Sequence, residues 1–82
     1  MPRSKTRVVY KRLRNYWGYA LINENKIELY QGLRGKKHLE ILLHEKIHLL
    51  FPDLDEKAVL RIGKDMSDLL WKEGYRQLKK KD

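Results

Sequence analysis

HLEILLHEKIHLLFPDLDEKAV, residues 38–59, decides how the rest of the chain is read. Leu39, Leu43, Ile47 and Leu50 recur at spacings of four, four and three, the stripe of an amphipathic helix running from about Lys36 to Leu50. Pro52 ends it, because the residue before a proline is pushed out of the α region. Asp53 or Asp55 can then cap a second helix. That helix covers residues 55–74, with Val59, Ile62, Met66, Leu69 and Leu70 as its buried stripe.

Working towards the N-terminus, the period changes from helical to alternating. Residues 27–30 place Ile27 and Leu29 on one face and Glu28 and Tyr30 on the other. With residues 19–22 and the intervening Asn23, Glu24, Asn25 and Lys26, they predict a hairpin over 19–30. Residues 6–14, TRVVYKRLR, supply a further basic strand, and residues 15–18 connect it to the hairpin. Two glycines in QGLRG, 31–35, close the sheet. Three strands followed by two helices make an α+β domain, with the sheet expected to be antiparallel. Trp71 and Tyr75 are expected to pack under that sheet, ahead of a basic tail at 76–82.

The first helix also carries the chemistry. His44 and His48 stand one turn apart, within about 40° of each other, so their imidazoles can converge on one zinc ion. Glu45 is turned by about 100° from His44 and out of line for coordination. Its carboxylate can still take a proton from a zinc-activated water and deliver it to a leaving amine. Three histidines and six glutamates in 82 residues produce H-E-x-x-H by chance in under about one per cent of orderings. The bland reading, a helix whose histidines merely hydrogen-bond to neighbours, suits a lone histidine better than this spacing.

A catalytic zinc takes three protein ligands and keeps one position open. His38 is about 120° from His44 and more than a turn away, which makes it a surface residue. Asp53, Asp55 and Glu56 remain, all returned towards the histidines by the turn at Phe51–Pro52. The helical wheel does not decide among them. Glu56 is preferred because Gly63, two turns on, would let the helices approach closely on that flank; Asp55 comes second, being also a good N-cap.

Eighty-two residues make one domain with a thin core, for which a bound metal is a useful staple. The absence of cysteine excludes disulfides, thiolate nucleophiles and Cys-containing zinc sites, leaving His, Asp and Glu as ligands. No apolar run is long enough to span a bilayer, and MPRSKTR has no signal-like apolar core, so a cytoplasmic protein with no membrane partner is expected. The net charge of +8 favours an acidic partner. Arg7, Lys11, Arg12 and Arg14 are the candidates for contacting a substrate or nucleic acid.

His44, Glu45 and His48, followed by EKAVLRIGKD from Glu56, resemble the zincin metallopeptidases, and most of all minimal gluzincin-type members of the ImmA/IrrE kind. Small proteins of phages and mobile elements share this appearance. The likeness covers roughly residues 17–75, including the hairpin, and Val59 and Gly63 stand where the pattern has small residues. It implies a zincin-like fold, His44, His48 and Glu56 as zinc ligands, Glu45 as general base, and an edge strand that takes an extended peptide by β-augmentation. The chain departs from the family in its short link from His48 to Glu56, and no downstream subdomain forming further substrate pockets is expected. Tyr30 and Tyr75 are the tyrosines considered for oxyanion stabilisation, and spacing selects neither.

Two functions follow. One is a zinc-dependent peptidase acting on a peptide or protein, with DNA-bound proteins as one class of target, as in SprT-like zincins. The other is a zinc-stapled binding module that contacts nucleic acid or a protein without catalysis. Glu45 favours the first, because a structural site needs no carboxylate beside its ligands and fills its fourth position with a protein group.

Overall fold

A computed structural model describes residues 5–78. Strands β1 (Arg7–Lys11), β2 (Gly18–Leu21) and β3 (Lys26–Tyr30) precede helices α1 (Gly35–Leu50) and α2 (Glu56–Lys72). The tail residues 79–82 lie outside the described residues. Among the described residues no helix is long and apolar enough to cross a membrane.

The hairpin forms as its turn residues direct. A 3₁₀ turn over Ile22–Glu24 leads to Asn25, whose φ of 48° is left-handed. Asparagine tolerates that region because its short polar side chain bonds locally. β2 then pairs antiparallel with β3, Tyr19 opposite Glu28.

β1 departs from expectation. The strand order is β1-β3-β2, and β1 runs parallel to β3 with Val8 opposite Ile27, so the sheet is mixed and not antiparallel. Alternation specifies which face a side chain takes but not which neighbour its strand joins. A parallel pair needs a crossover connection of a dozen or more residues, and here residues 12–25, with β2 inside them, provide it. Central β3 accordingly supplies the sheet's buried pair, Ile27 and Leu29.

The layers are sheet, α1 and α2, with α1 between the other two. Ile41, Leu42 and Leu49 of α1 pack onto Ile27, Leu29 and Leu33. Gly18 permits this: a Cβ there would lie 2.9 Å from Leu29 Cδ2 and 3.2 Å from Ile41 Cγ2. Because α1 is covered on two sides, its single predicted stripe is incomplete. Ile47 is buried against α2, Leu39 and Leu43 are half-buried, and Leu50 is exposed. The sheet side carries His38 and Glu45 as well as aliphatic residues.

On α2 the buried positions are Val59, Gly63 and Ser67, whereas Met66 and Leu69 are exposed. The buried stripe is therefore rotated by roughly 70° from the predicted one. Small residues bring the two backbones together there, and the larger apolar side chains flank the contact. At the C-terminal end, Gly74 at φ 94° receives the chain as Tyr75 N–H bonds to Leu70 O and Gly74 N–H to Trp71 O. This is a Schellman ending. Trp71 and Tyr75 do not pack under the sheet: Trp71 is capped by the Arg76 guanidinium, 3.5 Å from its ring, and Tyr75 is exposed.

Candidate metal centre

The flank of α1 between its sheet-facing and α2-facing sides presents His44 and His48, with ring centroids 4.9 Å apart. Across from them, Asp55 caps α2, its carboxylate accepting from Ala58 N–H at 2.8 Å. That bond occupies Asp55 and leaves Glu56, the first helical residue, free to turn towards α1. The rotation of α2 about Gly63 completes the approach. A Cβ on Gly63 would sit 3.6 Å from the His44 Cα, in ordinary van der Waals contact, so the backbones are close but an alanine would still fit.

Glu56 meets both imidazoles: Oε2 is 3.2 Å from His44 Nε2, and Oε1 is 3.0 Å from His48 Nε2. Ligand atoms of His44, His48 and Glu56 all lie within 4.8 Å of one another. A tetrahedral zinc with bonds of about 2.0–2.1 Å spaces its ligand atoms by about 3.3 Å, so the Glu56–histidine separations already match the ion, while wider separations within the group would have to close on it. Asp53 and Asp55, the other ligand candidates, are not in the group.

Glu45 is buried, with 9 % of its surface exposed, and lies on the sheet-facing side of α1 rather than on a polar face. It borders, with His44 and Glu56, an open cleft of about 370 Å³ whose other walls include Tyr16, Trp17 and Leu60. Burial pushes its carboxyl above the usual range; His48 opposes this and Glu56 adds to it. Burial likewise holds His44 below the usual imidazole value, against the pull of Glu56 and with help from His48.

Other expectations are corrected here. His38 is not a surface residue: it is 6 % exposed, and its Nε2 lies 2.8 Å from the Tyr10 hydroxyl. Neither Tyr30 nor Tyr75 lines the cleft, whereas Tyr16 does. Tyr16 and Trp17 were read only as a connection, and no local spacing could have marked them, since the fold alone brings residues 15–18 beside α1. Of the basic candidates, Arg7 and Lys11 sit at the two ends of β1, and Arg12 and Arg14 follow it. Lys11 is held by Glu28 at 2.7 Å, which partly neutralises it.

No family model, curated protein or solved structure matches this chain.

Proposed function

We propose that this chain is a minimal zinc metallopeptidase of zincin-like design, hydrolysing a peptide bond in a peptide or protein substrate. The observation that carries the reading is the convergence of His44, His48 and Glu56, with His44, Glu56 and the Glu45 carboxyl bordering one open cleft. A zinc ion in that donor set would supply Lewis acidity, making water nucleophilic near neutral pH and polarising the scissile carbonyl. His44, His48 and Glu56 would hold the ion. Glu45 accepts the proton of the attacking water and passes it to the departing amine nitrogen. Its position on the same helix, one residue from His44, fixes it against the site without making it a ligand.

The placement of β2 supports an extended substrate. It is an edge strand, paired on one side only by β3, and its first residue, Gly18, borders the cleft. A peptide added to that edge would run past the histidines.

The test compares wild type with Glu45→Gln, each loaded with zinc, on a broad peptide library read by mass spectrometry. The substitution keeps shape and removes the base, so zinc stoichiometry should stay at one per chain while cleavage is abolished. Identical cleavage by both proteins, or a fourth protein ligand on the metal, would make the site a structural staple and the protein a binding module.

A further inference from the structure

We propose that the outer face of the sheet, together with the connection between β1 and β2, is a stacking platform for single-stranded nucleic acid. The helices cover only the face that bears Ile27 and Leu29. On the opposite face the register lines up Arg7 with Lys26, Val9 with Glu28, and Lys11 with Tyr30, while Tyr19 sits across from Glu28. Three cations thus surround a single acid, and Glu28 is spanned by Lys11 at 2.7 Å and Lys26 at 3.6 Å. The surplus positive charge continues into the exposed Arg12 and Arg14.

Aromatic rings are interleaved with this charge. Trp17 is 52 % exposed and meets Tyr30 edge-on at 5.9 Å; Tyr16 is 56 % exposed and lies 4.7 Å from Tyr19. Burial does not explain rings left this open: Tyr16 and Trp17 wall the cleft beside α1, where Lys37 Nζ stands 5.4 Å over the Trp17 ring and adds a further cation, and Tyr19 lies on the face away from the core. A basic surface that tracks phosphates while its rings receive base faces is the common design of single-strand binding. A duplex keeps its bases stacked and offers such rings nothing, and an acidic peptide would use the cations but not the rings. The occupant that uses both is an unpaired strand.

The platform needs neither the metal nor peptide hydrolysis, so its test is run in chelator and its failure leaves the peptidase reading untouched. Fluorescence anisotropy of a labelled oligothymidylate would be titrated with the full chain across a salt series. A duplex of the same length and poly-glutamate serve as rivals. The expected result is preference for the single strand, with affinity falling linearly on a log–log salt plot. Trp17→Ala and Tyr19→Ala, checked for folding by circular dichroism, should each weaken binding by about tenfold or more, because one stacked base is lost. Trp17→Phe should retain most of the affinity. Equal binding of duplex, equal competition by poly-glutamate, or unchanged affinity in folded Trp17→Ala and Tyr19→Ala proteins would each overturn the proposal.

Discussion

Two histidine neighbourhoods share helix α1. At its N-terminal end, His38 is buried against a hydroxyl: Tyr10 is its partner, and the Gln77 amide donates to the same hydroxyl at 3.4 Å. Tyr10 can accept from Gln77 and donate to His38, which satisfies the chain of groups with a neutral imidazole. Two turns further on, His44 and His48 face each other and share one carboxylate. Residue type and helix are the same in both places. What differs is the partner: a neutral hydroxyl makes the first imidazole a fastened piece of the core, whereas a second imidazole and a carboxylate make the other pair a candidate ligand set.

The sharpest break between the two neighbourhoods is metal affinity. Glu56→Ala, or His44→Ala with His48→Ala, should weaken zinc binding by orders of magnitude in native mass spectrometry or calorimetry, whereas His38→Ala should leave the stoichiometry unchanged. A zinc affinity that followed His38 instead would erase the distinction.

Stability comes next. A ligand that binds only the folded state at about 100 times its Kd adds about 2.7 kcal/mol, which for a domain of this size is roughly 10–20 °C in melting temperature. Chelation should remove that increment from wild type and change nothing in Glu56→Ala. Scanning calorimetry with and without chelator makes the comparison.

Asp55 separates a cap from a ligand. Because its carboxylate is spent on Ala58 N–H, Asp55→Ala should cost about 0.5–2 kcal/mol in denaturant unfolding and leave zinc affinity nearly intact. Loss of affinity comparable to that of Glu56→Ala would move the ligand to Asp55.

The smallest effect is on pH dependence. Burial, reinforced by Arg34, lowers the His38 pKa from its ordinary 6.5. The unfolded chain then binds the proton more readily than the folded one, so this contribution is complete above about 6.5 and is lost as pH falls towards the folded value. Urea melts in chelator should show stability falling less between pH 7 and pH 5 in His38→Gln than in wild type. An identical slope would mean that His38 titrates as if exposed.

Much of the site was legible because it is local. The i, i+4 spacing sets His44 and His48 on one flank whatever the helix packs against, and Asp55 ahead of an apolar run marks the cap that puts Glu56 first in α2. The hairpin was legible for the same reason: Asn25 can adopt the left-handed turn that its neighbours need. These features follow from backbone geometry and a few residues' own chemistry.

Only the tertiary structure decided the rest. Val8 and Tyr10 alternate correctly for a strand, yet nothing in that alternation says that β1 passes β2 by and pairs in parallel with β3. His38 read as a surface position of a one-sided helix, yet it and Glu45 are buried because α1 is covered by the sheet on one side and by α2 on the other. Gly63 was legible as a point of close helix approach, but only the packing shows that Ser67 joins it and that α2 is turned so that Met66 and Leu69 face outwards. The physical reason is range: periodicity reports the side of an element that is apolar, whereas close approach, strand order and the burial of polar groups depend on which distant surfaces fit together.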